Sequence, residues 1–260
     1  MPIVFLGSCQ SDILGREFAK IFKEKEIISI VNWDKILKNL PVPDELWETD
    51  VLIYQPYLGK NDFNTDDICK KLLSINPNVK LISFPYCDFN LYTPTHKRHP
   101  KDIVTKKYPF TKFEEIPSCL IDCQSVEEMV KKLDEESLPF NFKAIEENQF
   151  LKLRERDDRC SIKITDFIKE NWKKERLFYT RNHPTNTLML YIAREISKLL
   201  NLDTNFTFET ALDLSISLIP PFLKKELSFD INTAKWYNGP KSTAKEYLEE
   251  LIKISADITI

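Results

Sequence analysis

Cys9 and His183 have the residue types best suited to nucleophilic chemistry in this chain. A cysteine at the start of a helix can have a lowered pKa, which makes it a good nucleophile. A histidine titrates near neutral pH and is the usual general base. The two residues are therefore candidates for a catalytic pair. An alternative stays open, because a cysteine after a strand is commonly a small buried hydrophobic residue and a His-Pro pair is commonly a capped turn.

Cys9 lies at the tip of a predicted strand-turn-helix unit. Residues 3–6 have the pattern of a buried strand, Gly7 turns the chain, and residues 12–25 have helical spacing. In an open α/β sheet, ligands bind at the carboxyl ends of the strands, where the first amides of the next helix have no backbone partner. We therefore expect the Cys9 thiol to be exposed and electrostatically activated.

The rest of the first half alternates strand and helix patterns. Predicted strands cover residues 27–31, 50–56 and 79–85, and predicted helices cover 33–40 and 66–75. Strands joined by helices of this length form right-handed crossovers, so we predict an α/β fold with a parallel sheet flanked by helices, in three layers of the flavodoxin type. The chain has four glycines, and both the Rossmann glycine loop and the P-loop are absent.

The second half has mainly helical patterns. Predicted helices cover residues 125–133, 140–156, 164–172, 188–200 and 243–254, with a short strand at 177–180 and a proline break at 219–221. Pro184 suits the first positions of a helix, where its missing N–H costs nothing, and this places His183 just before that helix. We predict a single α/β domain over residues 1–260, in which residues 1–120 form the sheet core and residues 121–260 form a mainly helical part packed on it.

A stretch rich in aromatic and basic residues occupies positions 87–119. One interpretation is a long surface excursion whose aromatic side chains pack on the domain. The other is a lid that binds a phosphorylated ligand, with Lys97, Arg98 and Lys101 meeting phosphate and aromatic side chains covering a ring.

The composition weighs against several classes of protein. A net charge of −3 and a pI near 5.8 argue against a nucleic-acid binder, which usually has a basic surface. Six cysteines are scattered without a CxxC pair, and Cys119 and Cys123 have no nearby histidine. We therefore expect no metal site, and free thiols in a reducing cytoplasm. No apolar run approaches the roughly 18 residues of a membrane helix, so we expect a soluble protein without a membrane segment.

Several short motifs occur together in a characteristic order. They are Gly-Ser-Cys-Gln at 7–10, Asp-Val-Leu-Ile-Tyr-Gln-Pro at 50–56, Leu-Arg-Glu-Arg at 153–156, Ile-Lys-Ile-Thr-Asp-Phe-Ile at 162–168 and Arg-Leu-Phe-Tyr-Thr-Arg-Asn-His-Pro at 176–184. In this order the motifs resemble the WcbI-type polysaccharide-biosynthesis family, whose members are expected to be acetyltransferases. The resemblance covers most of the chain. It implies an α/β fold related to SGNH hydrolases, and coenzyme A binding during acylation of a capsular or surface polysaccharide.

The resemblance also implies roles for particular residues. In SGNH enzymes a Gly-Asp-Ser turn carries the nucleophile, and the third residue of the matching turn is Cys9. The catalytic candidates are Cys9, His183, Gln10, Gln55 and Ser8, and the candidates for coenzyme A binding are Gly7, Arg154, Arg156, Arg181, Asn182 and Tyr86. Arg159, or the cations at 97–101, are further candidates for contacts with the phosphates. No Asp-x-x-His block precedes His183, so a hydrolytic triad is not implied.

Two mechanisms fit these residues. In the first, His183 deprotonates Cys9 and an acyl-cysteine forms. In the second, His183 deprotonates the sugar hydroxyl directly, and the oxyanion is stabilised by Gln55 and by N–H groups near Cys9 and Gln10. The predicted function is acyl transfer from acetyl-coenzyme A to a polysaccharide or sugar-nucleotide acceptor. The alternatives are an SGNH-type carbohydrate esterase and a non-catalytic sugar- or nucleotide-binding module.

Overall fold

The computed structural model describes residues 2–94, 96–98, 115–117, 125–135 and 141–208. These residues form two compact units. The first contains residues 2–88, 150–170 and 182–208, and the second contains the described residues of 89–149 together with 171–181. The predicted helix at 243–254 and the proline break at 219–221 lie outside the described residues. The organisation as one domain stays a prediction.

A four-stranded parallel sheet forms the centre of the first unit. Its strands are β1 (Ile3–Gly7), β2 (Ile27–Val31), β3 (Val51–Tyr54) and β4 (Lys80–Ser83), in the spatial order β2-β1-β3-β4. Ile3 pairs with both Ile27 and Val51, one on each side of β1. Every residue of β1 is buried, as expected for a central parallel strand covered on both faces. The predicted parallel α/β sheet is confirmed.

Three helices connect these strands. They are α1 (Cys9–Ile21), α2 (Asn32–Leu37) and α3 (Thr65–Ile75), with a 3-10 turn at Asp44–Glu48 between α2 and β3. α1 begins at Cys9, earlier than predicted, because the Ser8 side chain caps it. α2 ends at Leu37, before the predicted residue 40, and Asn39 follows with a φ of 50°, which is left-handed backbone that does not continue a helix.

Both faces of the sheet are covered by helices. Side chains alternate between the faces of a strand. On one face of β1, Phe5 packs against Phe18 of α1 with ring centroids 5.1 Å apart. On the other face, Val4 and Leu6 join a buried cluster with Leu72 of α3. The predicted three-layer arrangement is therefore confirmed for this unit.

The described part of the second half is mainly helical, as predicted. The remaining elements are β5 (His96–Arg98), β6 (Glu115–Pro117), α4 (Val126–Glu135), α5 (Phe142–Asp157), α6 (Thr165–Asn171), β7 (Phe178–Thr180), β8 (His183–Pro184) and α7 (Asn186–Leu200). β5 and β6 pair in an antiparallel manner. The prediction for Pro184 is wrong, because Thr185 is the N-cap of α7 and Pro184 lies in β8.

The second unit has an aromatic core of its own. Phe89 stacks on Phe178 with ring centroids 5.0 Å apart, and its ring meets Trp172 at 5.5 Å. The Tyr92 hydroxyl donates to the Trp172 carbonyl at 2.8 Å and accepts from the Leu177 N–H at 3.1 Å. Phe89 and Tyr92 are both buried. This end of the aromatic stretch at 87–119 is therefore core, and only positions 96–98 and 115–117 of the stretch beyond residue 94 belong to the described residues.

Candidate active site

The Cys9 thiol lies at the N-terminus of α1, directly after β1. Ser8 is the N-cap, and its hydroxyl oxygen accepts from the Gln10 N–H at 3.3 Å. Its carbonyl accepts from the next two amides of the helix. Cys9 itself is half-buried, whereas the other cysteines among the described residues (Cys69, Cys87 and Cys160) are buried. Within the described chain, Cys9 is thus the thiol that a ligand can reach.

The expectation of an electrostatically activated Cys9 thiol is wrong. Burial raises the pKa of Cys9 above its ordinary value. The backbone N–H groups of Gln10 and Cys9 lower the pKa, as does the Ser8 side chain, but burial is the larger effect. Cys9 is therefore a protonated thiol at neutral pH, and it needs a base before it can attack.

The Gln10 side-chain amide uses all of its main donor and acceptor positions in hydrogen bonds. Its Nε2 donates to the Cys87 carbonyl at 2.8 Å and to the Asn182 carbonyl at 2.7 Å. Its Oε1 accepts from the Cys87 N–H at 2.9 Å and from Gln55 Nε2 at 2.8 Å. An amide has two donor and two main acceptor positions, and Gln10 is fully buried. The side chain therefore positions the turn, and it has no group left for a substrate.

Gln55 holds the other side of the turn. Its Oε1 accepts from the Ser8 N–H at 2.9 Å and from the Ser8 hydroxyl at 2.6 Å. This close approach requires Gly7, because a Cβ there would lie 2.8 Å from the same oxygen. Gly7 thus allows this close packing, and its contact with coenzyme A stays a prediction. The Ser8 hydroxyl is likewise committed to Gln55 and to capping α1.

Tyr86 and Asn182 are joined to each other and to the Cys9 turn by hydrogen bonds. Asn182 Nδ2 donates to the Tyr86 hydroxyl at 3.0 Å, while the Asn182 carbonyl binds Gln10. Burial is the main cause that raises the pKa of Tyr86, and charges at Asp88 and Cys9 raise it further. His183 follows Asn182 in β8 and is half-buried. The direct pairing of Cys9 with His183 stays a prediction.

Comparison with known proteins decides the family. The sequence model of the family described as "Polysaccharide biosynthesis enzyme WcbI" matches residues 3–205. The chain belongs to the WcbI family. A solved structure of a polysaccharide biosynthesis enzyme, WcbI, is similar over 99% of this chain and 90% of that chain, with a TM-score of 0.66 and 20% sequence identity. It is described as the native protein without a disulfide bond between coenzyme A and a cysteine. No curated protein matches this chain.

In this WcbI-family chain, two of the arginines that we predicted to contact phosphates form ion pairs with carboxylates. Arg156 Nη2 forms a half-buried ion pair with Asp88 Oδ2 at 3.0 Å, and Nη1 donates to the Tyr86 carbonyl at 3.3 Å. Arg154 pairs with Asp166 at 3.0 Å on the surface. Arg181 belongs to the second unit, and its side chain is exposed. Arg156 therefore fixes the loop after β4, and a phosphate contact by Arg154 or Arg181 stays a prediction.

Sequence reasoning missed Asp88 and the backbone of Cys87. Both lie in the loop that follows β4, at the same edge of the sheet as Cys9. Their position after the fourth strand was a usable signal, since side chains and amides at the carboxyl ends of parallel strands converge. Nothing in the sequence indicates, however, that Gln10 binds a backbone 77 residues away.

Among the described residues, no group of three or more His, Cys, Asp or Glu side chains is placed to hold a metal ion. In the same part of the chain, no helix has the length and apolar character needed to cross a membrane.

Proposed function

We propose that this WcbI-family protein transfers an acyl group from coenzyme A to a hydroxyl of a polysaccharide or its precursor. The observation that carries the proposal is the Cys9 thiol, which is half-buried between the end of β1 and the N-terminus of α1, where backbone N–H groups favour its negatively charged form. Such amides stabilise negative charge on the sulfur or on an adjacent oxygen. The solved WcbI structure is described by reference to a disulfide between coenzyme A and a cysteine. We take Cys9 as the counterpart, since it is the described cysteine that is not buried.

In the covalent route, Cys9 attacks the thioester. His183 takes the thiol proton, and the Cys9 sulfur bonds to the acyl carbon as the bond to the coenzyme A sulfur breaks. The departing thiolate receives the proton from His183. The sugar hydroxyl then attacks the acyl-cysteine, and its proton returns through His183 to the Cys9 sulfur. The raised pKa of Cys9 makes the base essential at neutral pH.

In the direct route, His183 takes the proton from the sugar hydroxyl, whose oxygen attacks the thioester carbonyl. The proton then passes to the departing coenzyme A sulfur. The Cys9 and Gln10 N–H groups stabilise the oxyanion, because they lie at the N-terminus of α1 and favour negative charge at the thiol. Gln55 Oε1 accepts from Ser8 and its Nε2 donates to Gln10, so a contribution of Gln55 to the oxyanion would come from the second proton on Nε2.

A label-transfer assay tests the proposal. Purified protein is incubated with acetyl-labelled acetyl-coenzyme A and a surface-polysaccharide fraction, and label in the polysaccharide is counted. The proposal expects transfer that depends on protein. An acetyl adduct by intact mass that is lost in Cys9→Ala supports the covalent route. Release of acetate from a chromogenic ester without coenzyme A, with no label transfer, would contradict the proposal and favour an SGNH-type esterase.

A further inference from the structure

We propose that Tyr86 is a catalytic residue that donates a hydrogen bond to the thioester carbonyl oxygen as negative charge develops on it, and that Asn182 orients its phenol. This inference rests on the proposed acyl transfer at Cys9. It adds a side-chain donor to the backbone amides of the turn, and it replaces the coenzyme A-binding role that we expected for Tyr86.

The first argument is the direction of the Tyr86 hydroxyl. Asn182 Nδ2 donates to the phenol oxygen at 3.0 Å. This hydrogen bond occupies one lone pair of the oxygen and fixes the position of the hydroxyl group. A phenol has one proton to donate, and within the described residues no acceptor for that proton is found. Tyr86 is half-buried. Its O–H is therefore available to a ligand that enters beside Cys9.

The second argument is the location of that hydroxyl. The Asn182 carbonyl accepts from Gln10 Nε2 at 2.7 Å, so a single asparagine links Tyr86 to the residue that follows Cys9. Negative charge at Cys9 is one of the lesser causes that raise the pKa of Tyr86, after burial and the charge of Asp88. Both groups lie at the carboxyl edge of the sheet, after β1 and after β4.

The third argument is rigidity. Arg156 binds the Tyr86 carbonyl at 3.3 Å and the Asp88 carboxylate at 3.0 Å, so the loop that carries Tyr86 is held on both sides of Cys87. The Cys87 N–H and carbonyl are in turn held by Gln10. A donor fixed in advance stabilises a developing oxyanion without reorganisation during the reaction.

The chemistry requires only a hydrogen bond, and the proton stays on Tyr86 throughout. Burial keeps the phenol protonated, because it raises its pKa. The oxyanion has the same origin whether Cys9 or the sugar hydroxyl attacks, so the inference holds for both routes. Tyr86 should therefore affect the chemical step, while the binding of acetyl-coenzyme A should change little.

Tyr86→Phe tests the inference in the full chain. We expect its kcat to fall about 100-fold, as on loss of one oxyanion donor, with KM for acetyl-coenzyme A nearly unchanged and the pH profile unmoved. Asn182→Ala removes the same bond between Asn182 and Tyr86 but keeps the phenol, so its kcat should fall less. Tyr191→Phe, which removes a hydroxyl bonded to the Lys163 carbonyl at 2.9 Å, serves as the control and should retain wild-type kcat.

The outcomes separate the inference from the proposed function. Equal losses of kcat in Tyr86→Phe and Asn182→Ala, with equal falls in melting temperature, would show a structural role and overturn the inference. Wild-type kcat in Tyr86→Phe would also overturn it, and would leave acyl transfer standing. A wild-type protein without acyl transfer would refute the proposed function, and the inference with it.

Discussion

Gln10→Glu is the substitution that tests the architecture of the turn most sharply. It keeps the shape of the side chain but replaces the Nε2 group with an oxygen. That oxygen would face the Cys87 carbonyl at 2.8 Å and the Asn182 carbonyl at 2.7 Å. Two donated hydrogen bonds are lost, each worth about 1 kcal/mol, and a fully buried side chain gains a charge. We expect the free energy of unfolding to fall by about 3–5 kcal/mol at neutral pH.

The destabilisation by Gln10→Glu should depend on pH in a definite direction. Burial beside two carbonyl oxygens raises the pKa of the new carboxyl in the folded state above its unfolded value of about 4.3. The folded state then binds the proton more tightly, so the stability deficit is smallest below the unfolded pKa. It grows as the pH rises through the raised folded pKa. The protonated carboxyl can still donate one bond to a carbonyl, which explains the partial recovery at low pH.

Urea unfolding at about pH 5 and about pH 8 measures this effect. The matched control is Asn78→Asp, the same amide-to-acid change at an exposed position, which should alter stability by less than about 0.5 kcal/mol at both pH values. If Gln10→Glu is as stable as wild type at both pH values, the hydrogen bonding assigned to the Gln10 amide is wrong. If its deficit is larger at the lower pH, the assignment of Nε2 as the donor is wrong.

Three further predictions concern the same edge of the sheet. Iodoacetamide should alkylate Cys9 more slowly than a free cysteine at neutral pH, because burial raises the pKa of the thiol, and the rate should rise at alkaline pH. The rates are measured by intact mass, and alkylation faster than that of a free cysteine at neutral pH would contradict this prediction. Gly7→Ala should destabilise by about 1–3 kcal/mol through overpacking, since its Cβ would lie 2.8 Å from Gln55 Oε1; unchanged urea stability would refute the close packing. Arg156→Ala should reduce equally the melting-temperature shifts produced by coenzyme A and by dephospho-coenzyme A, because Arg156 binds the loop carrying Tyr86 and Asp88. A reduction seen only with coenzyme A would instead indicate that Arg156 contacts the 3′-phosphate.

The sheet could be predicted because its signals are local. β1 is a run of apolar residues and β3 another, and both are buried on two faces, so their types indicate strands without reference to partners. The predicted ends of helices and strands were less accurate than their existence and type. Pro184 was assigned to a helix that in fact begins after the Thr185 cap, because a proline is acceptable both in a first helical turn and in an edge strand.

The site could be predicted only in part. Cys9 and Gln10 were located correctly at the end of a strand, but their roles depend on groups remote in sequence. The pKa of Cys9 is decided by burial, which the sequence does not display. From the sequence, Gln10 was a candidate catalytic residue. Its buried side chain instead forms hydrogen bonds with backbone groups of residues 87 and 182, which are remote in sequence. The structural role of Arg156 likewise depends on its ion pair with Asp88, which the sequence does not indicate.

The central claim is that the Cys9 turn handles an acyl group carried by coenzyme A. The most direct measurement is kcat/KM for acetyl-coenzyme A in label transfer, compared among wild type, Cys9→Ala and His183→Ala. Cys69→Ala, at a buried cysteine in α3, controls for loss of a thiol elsewhere. The account predicts that His183→Ala loses at least about 100-fold, the scale of a general base, and that Cys69→Ala retains activity in the protein that remains folded. Cys9→Ala should abolish transfer in the covalent route and impair it in the direct route. Wild-type kcat/KM in both Cys9→Ala and His183→Ala would contradict the claim.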